Sequence, residues 1–339
     1  MNNPLRLTHL LRCLFMAFTL WLASCAGGPS KEVVDQLAND DRPPFGANYA
    51  FPVKTMEFPE GRQMAYTDQG EGEEVLVFIH GLGGYSKHWE PMISQLKHHY
   101  RCIAPDLPGY GYSDRQYIPE KNILAFYAEA ILQLADHLKI GQFTLVGHSM
   151  GGQTAMVAAL TYPGRIRHLV LAAPAGFETF SFAEATGMRT FATASFFGQQ
   201  DEAALRAGFE ANFTGNHPML NELLEDRIRM REQQGFEAYC HTVEMGVKGM
   251  LERPVWDELN LITCPVLVLF GENDALIPNR AFHPNLTSTE VAEGGTARLP
   301  NGQLVLFPGA GHLFTIEQAD LLADAIMRFL QEPTTSAGS

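Results

Sequence analysis

Residues 145–152 read LVGHSMGG. A hydrophobic run ends at Gly147, Ser149 stands between glycines, and Gly151 and Gly152 follow at once. Taken alone, the stretch has two readings: a tight turn between a strand and a helix, or the same turn holding a nucleophile. The sterics are common to both. A sharp strand-to-helix turn crowds the backbone beside it, so positions two residues either side of its apex exclude side chains. The helix that starts there points its first N–H groups and its positive dipole end at any developing negative charge.

The flanking sequence fits this turn. FTLVGH (143–148) is an apolar run of strand length, and SMGGQTAMVAALTYP (149–163) is a helical run ended by Pro163. Further apolar runs of strand type are EVLVFIH (74–80), RCIAPD (101–106), IRHLVLAAP (166–174), PVLVLFG (265–271) and QLVLFPG (303–309). Continuous apolar runs of this length suit strands buried on both faces. Helical patterns lie between them: HWEPMISQLKHH (88–99), NILAFYAEAILQLADHLKI (122–140) and TIEQADLLADAIMRFLQ (315–331). At the start, VKTMEF and RQMAYTD alternate around Gly61 and suggest a hairpin. Strands alternating with helices predict a mostly parallel sheet covered on both faces.

The alternation stops between Ala175 and Trp256, where helical patterns such as DEAALRAGFEANF and LNELLEDRIRM stand without a strong strand. This predicts an all-helical insertion after the sixth strand. Its beginning is rich in phenylalanine: Phe177, Phe180, Phe182, Phe191, Phe196 and Phe197. Either these form the insertion's own core or they wall an apolar substrate pocket. The stretch from Pro278 to Leu304 is longer than a link between two adjacent strands needs, and STEVAEGGTARLPNG within it reads as a short helix and a turn.

Gly147-His148-Ser149-Met150-Gly151 fits G-x-S-x-G in its required strand–turn–helix context. A serine nucleophile then needs an oxyanion loop, an acid and a histidine, with the acid and histidine following the serine in chain order. VFIHGLGG supplies the loop at His80–Gly84, and the backbone N–H groups of Leu82 and Met150 are the predicted donors. A dinucleotide-binding G-x-G-x-x-G is excluded there, because Ser86 stands where the third glycine belongs. GENDALIP offers Glu272 and Asp274 as acids. LFPGAGHLFTIEQ places His312 between the last strand and the last helix. His148 is expected to point away from Ser149, His80 to shape the oxyanion loop, and His88, His98, His99 and His137 to lie mostly on the surface.

With these motifs the chain resembles the α/β-hydrolase superfamily over roughly residues 50–331. DLPGYGYSD (106–114) adds to the likeness, matching that family's D-x-P-G-x-G-x-S. The resemblance implies an eight-stranded, mostly parallel sheet with helices on both faces and the helical insertion as a cap. It favours Asp274, which lies three residues past the strand-ending glycine, and gives Asp106 the role of bracing a turn. It assigns Ser149 the attack on a carbonyl carbon, His312 the proton transfer, and Asp274 the orientation of the imidazole. Epoxide hydrolases and haloalkane dehalogenases share the fold but use an aspartate nucleophile, against which Ser149 argues. The expected reaction is carboxylic-ester hydrolysis of a small-molecule substrate. The alternatives are a meta-cleavage-type carbon–carbon bond hydrolase, a haloperoxidase-like perhydrolase and a non-catalytic binding protein that kept the fold. No cofactor or metal is expected, and no H-E-x-x-H or C-x-x-C occurs.

The N-terminus reads as an address. Arg6 and Arg12 precede CLFMAFTLWLA, an apolar run of 11 residues, which is short of the roughly 20 that a membrane span needs and suits a secretory signal. LASC (22–25) then resembles the lipobox of bacterial lipoproteins, in which the cysteine thiol, here Cys25, is lipidated and becomes the mature N-terminus. The expected location is the cell envelope, with Ala26 favouring an outer membrane. Loss of residues 1–24, which hold two arginines and no acid, takes the formal charge from −14 to −16. The expected division is signal peptide 1–24, tether 25–50, hydrolase core 51–175 and 257–331, helical cap 176–256 and tail 332–339. The acidic balance and the lack of a basic cluster exclude the usual footprint of a nucleic-acid binder. Nothing in the sequence marks an oligomeric state.

Overall fold

The computed structural model describes residues 47–115 and 122–332. The expected signal peptide, Cys25, the expected tether as far as residue 46 and the tail from residue 333 lie outside the described residues.

Eight strands form one sheet: β1 (Val53–Glu57), β2 (Gln63–Gln69), β3 (Val75–Ile79), β4 (Arg101–Pro105), β5 (Phe143–His148), β6 (Ile166–Ala172), β7 (Val266–Gly271) and β8 (Gly302–Phe307). Their spatial order is β1-β2-β4-β3-β5-β6-β7-β8. The first two pair as an antiparallel hairpin, β2 runs antiparallel to β4, and every later neighbour is parallel. The central strands β3, β5 and β7 are buried at every residue, as their unbroken apolar runs require. The edge strands β1 and β8 are more exposed.

The core helices are α1 (Glu90–Leu96), α2 (Ile123–His137) and α3 (Met150–Thr161). The insertion after β6 carries α4 (Phe182–Phe191), α5 (Ala194–Gly198), α6 (Glu202–Glu210), α7 (Pro218–Arg231) and α8 (Phe236–Glu252). The link between β7 and β8 holds α9 (Ser288–Thr296), started by a Thr287–Glu290 capping box. The chain ends in α10 (Phe314–Glu317) and α11 (Ala319–Gln331). Helices α2 and α3 pack together on the sheet, and α1 packs with α11.

Register decides where the loops go. Ile79 pairs with Gly147, His148 with Ala172 and Gly271 with Phe307. The loops that follow β3, β5, β7 and β8 therefore leave the same end of the sheet, the C-terminal end where open α/β sheets bind ligands.

The chain departs from the sequence expectations at three places. The final helix is broken at Gln318 (φ −127°, ψ 37°) into α10 and α11. Its first turn is held to the insertion: Leu313 N–H donates to Asn212 O at 2.8 Å, and Glu317 Oε1 accepts from Thr214 N at 2.8 Å. Three of the clustered phenylalanines belong to neither an insertion core nor a buried wall: Phe182, Phe191 and Phe196 are exposed by 82%, 57% and 54%. Within helix α4 only Ala185 is fully buried, while Glu184 and Met188 are half-buried against His283 and Asn279. At the N-terminal side, residues 47–50 pack on the body. Ala47 is buried, and Tyr49 stacks on Tyr85 at 5.7 Å between ring centroids.

Candidate active site

Ser149 takes φ 55° and ψ −120°, which a non-glycine residue adopts only under strain. The surroundings hold it there. Its N–H donates to Ala172 O at 3.0 Å, and its carbonyl accepts from Gly152 N at 2.9 Å and Ala175 N at 3.0 Å. The glycines beside it are sterically required. A Cβ at Gly147 would lie 2.3 Å from Gly151 O, and one at Gly151 would lie 2.2 Å from Ile79 O. One at Gly152 would stand 2.7 Å from Pro174 Cβ. The sharp strand-to-helix turn read from LVGHSMGG is thus present, with Ser149 at its apex.

Asp274 and His312 meet at the same sheet end. His312 Nδ1–H donates to Asp274 Oδ2 across 2.7 Å, and both side chains are buried. The other carboxylate oxygen, Oδ1, accepts from Leu276 N at 2.8 Å and Ile277 N at 2.9 Å. Burial works against the charge of Asp274, but His312 and these two N–H groups outweigh it and hold the carboxyl below its usual range. With Nδ1 donating, Nε2 of His312 is left as the acceptor nitrogen. Glu272, the other acid of that loop, is exposed.

Ser149 is tied to His312 through its neighbour. His148 Nε2–H donates to His312 O at 2.9 Å, with the two rings 4.7 Å apart. Burial, and then the adjacent His312, push the His148 pKa down to about 3. The Ser149 hydroxyl makes no hydrogen bond among the described residues.

The loop after β3 closes over the serine. A Cβ at Gly81 would stand 3.1 Å from Ser149 Cβ and 2.9 Å from His148 Nδ1. Neither the Leu82 N–H nor the Met150 N–H donates to a described protein acceptor, so both donors remain free beside the serine. His80 fixes the base of the loop. Leu107 N–H donates to its Nε2 at 3.0 Å, so Nδ1 carries the proton and donates to Gly81 O at 2.9 Å. Burial lowers the His80 pKa to about 4, which keeps Nε2 an acceptor.

Asp106 braces the turns below. Its carboxylate accepts from Ser86 N at 2.7 Å, Tyr112 N at 2.8 Å and the Tyr49 hydroxyl at 2.8 Å. Its position leaves no room for a side chain at Gly111, where a Cβ would lie 2.2 Å from the carboxyl carbon.

The insertion reaches the same loop. A Cβ at Gly246 of α8 would lie 2.4 Å from Leu82 Cδ1 and 3.1 Å from Met150 Sδ, so this glycine lets α8 ride directly on both residues. His88, read as a surface histidine, is half-buried and lies 5.1 Å from the Tyr85 ring. Burial, then the nearby His80, His148, Arg227 and Lys87, hold its pKa well below the usual value. Apart from the phenylalanines read as a possible pocket wall, the sequence pointed to no insertion residue near the serine. The contacts that Arg227 and Tyr239 make with Gly83 join positions 144 and 156 residues apart, which no local motif signals. Among the described residues, no group of three or more His, Cys, Asp or Glu is placed to hold a metal ion.

A family model described as the alpha/beta hydrolase fold matches residues 74–319. The chain is 30% identical over 271 residues to a 2-hydroxymuconate semialdehyde hydrolase of Pseudomonas putida, covering 78% of this chain and 89% of that one. It is 29% identical over 265 residues to the dihydrolipoyllysine-residue acetyltransferase component of an acetoin cleaving system, also of Pseudomonas putida. That match covers 78% of this chain but only 65% of the relative's length. Among solved structures, a thermophilic esterase from Thermogutta terrifontis superimposes with a TM-score of 0.66 at 26% identity, covering 82% of this chain and 97% of that one.

Proposed function

The chain belongs to the alpha/beta hydrolase fold family, and from that premise we propose that it is a serine hydrolase that cleaves carboxylic esters through an acyl-enzyme. The observation that carries this reading is the strained Ser149 beside a buried Asp274–His312 pair and two free backbone donors. Ser149 Oγ attacks the ester carbonyl carbon while His312 Nε2 takes its proton. The oxyanion is held by the Leu82 and Met150 N–H groups, and losing one such donor costs on the order of 3 kcal/mol of transition-state stabilisation. Collapse returns the proton to the departing alcohol, and water repeats the sequence to free the acid and Ser149. Asp274 orients the imidazole and stabilises the imidazolium. Likeness to an esterase structure supports the ester substrate.

A second reading is a carbon–carbon bond hydrolase of the meta-cleavage type, favoured by the 30% identity to the semialdehyde hydrolase. A chain-length series of chromogenic esters separates the two. Turnover that depends on Ser149 supports the ester reading. Organophosphonate labelling of Ser149 without turnover of any ester supports the other.

The lipobox-like LASC motif supports a lipid anchor at Cys25. Two or more acyl chains suffice for stable anchoring. Cys25→Ser then releases the protein from the membrane fraction or blocks its maturation. A variant that matures normally and stays membrane-bound contradicts the anchor.

A further inference from the structure

The loop after β3 is gripped by the insertion as well as by the core. Gly84 N–H donates to Gly81 O at 3.0 Å, closing a four-residue turn with Gly83 third at φ +71°. The Gly84 N–H shares a planar peptide with the Gly83 carbonyl, and the Gly81 carbonyl that accepts from it shares one with the Leu82 N–H, so this hydrogen bond couples the two peptides. Two insertion side chains hold the Gly83 end of this coupled pair. Arg227 Nη2 of α7 donates to Gly83 O at 2.6 Å, and the Tyr239 hydroxyl of α8 donates to the same oxygen at 3.3 Å. The guanidinium is itself fixed in place. It lies over the Tyr239 ring at 4.7 Å and the Phe209 ring at 5.7 Å from their centroids.

The preceding residue of α7 holds the next stretch of the loop. Asp226, 1% exposed, accepts from the Tyr85 hydroxyl at 2.5 Å and from Lys87 Nζ at 3.0 Å. Lys87 is also buried and lies 3.3 Å from Glu222 of the same helix. A buried charge left without its partner is costly, so Lys87 and Asp226 favour the docked position of α7. Consecutive residues of one helix thus hold residues 83–87, directly after Leu82.

We propose that Arg227 is a positioning residue for the reaction: by holding the Gly83 carbonyl it steadies the peptide whose Gly84 N–H bonds the Gly81 carbonyl, and so keeps the Leu82 N–H of that next peptide aimed at the oxyanion. The docked insertion thereby completes the site. This rests on reading Leu82 as an oxyanion donor and Ser149 as the nucleophile.

The test uses 4-nitrophenyl butyrate, a neutral ester that offers a guanidinium no anion to bind. Turnover is expressed per site titrated with an organophosphonate, which removes any misfolded fraction from the comparison. Arg227→Ala is expected to lower kcat about 10- to 100-fold with KM within about twofold. Affinity for an alkylboronic acid, whose tetrahedral adduct uses the same donors, falls by a similar factor, and Arg227→Lys recovers part of both. Unchanged kcat and boronate affinity, or an effect confined to KM, overturns the proposal while leaving the Ser149 reading intact. Undiminished turnover in Ser149→Ala instead overturns the reading beneath it. Should Arg227→Ala not fold, Arg227→Lys and Tyr239→Phe carry the same comparison. The rate of phosphonate labelling serves as the readout if the wild type turns over no ester.

Discussion

His312 Nδ1 and Asp274 Oδ2 are 2.7 Å apart, and the second oxygen of that carboxylate is occupied by the N–H groups of Leu276 and Ile277. The carboxylate is therefore locked by the backbone and can present only one oxygen to the imidazole. This fixes the tautomer with Nε2 free. Asp274→Asn turns an acceptor into a possible donor and favours the wrong tautomer at nearly unchanged shape. The expected result is a fall in kcat of about 10⁴-fold with the fold retained, by analogy with the same change in a serine protease triad. Steady-state kinetics beside a thermal melt check it, and a loss below tenfold would contradict the assigned role.

The strand-to-helix turn makes a separate prediction about stability. The nearest atoms to a Cβ at Gly151 are backbone carbonyls of Ile79 and His80, at 2.2 Å and 2.6 Å. These belong to β3 and the residue after it and cannot swing away as a side chain would. Gly151→Ala is expected to destabilise by at least about 3 kcal/mol, the upper end for overpacked sites. Gly141→Ala, where a Cβ meets nothing within 4 Å, is expected to change stability little. Urea midpoints of the two variants measure the contrast.

Much of this arrangement is legible in the residues themselves, for identifiable reasons. β3, β5 and β7 are buried on both faces, so their sequences are unbroken apolar runs that mark both position and length. The turn at Ser149 is legible because its sterics forbid side chains at Gly147, Gly151 and Gly152. Other features have no local signature. Arg227 meets Gly83 only because α7 folds back over the sheet end. The break at Gln318 depends on Glu317 reaching Thr214 across 103 residues. The periodicity of TIEQADLLADAIMRFLQ runs straight through it. Exposed Phe182, Phe191 and Phe196 defeat the ordinary expectation that clustered aromatics are buried.

The pH dependence of stability tests the neutral state of His80. Burial lowers its pKa to about 4 from the 6.5 of a solvent-exposed histidine. Between those values the unfolded chain binds a proton that the native chain does not. The contribution of His80 is therefore complete above about pH 6.5 and is lost as pH falls toward 4, by about 3 kcal/mol. Glu90 pulls the other way, since burial raises its pKa to about 7. The informative quantity is therefore the difference between wild type and His80→Gln. The variant, whatever its absolute stability, is expected to lose about 3 kcal/mol less than wild type between pH 6.5 and pH 4. Parallel curves for the two proteins would mean that His80 takes its proton in the folded state as readily as in water.

Covalent capture decides whether Ser149 is the nucleophile. A fluorophosphonate is reacted with the wild type and with Ser149→Ala, the adduct is mapped by mass spectrometry, and ester turnover is measured on the same samples. One adduct is expected, on Ser149, with turnover lost by at least about 10⁴-fold in Ser149→Ala, which shows no labelling. An adduct on another residue, or turnover that survives in Ser149→Ala, would contradict it.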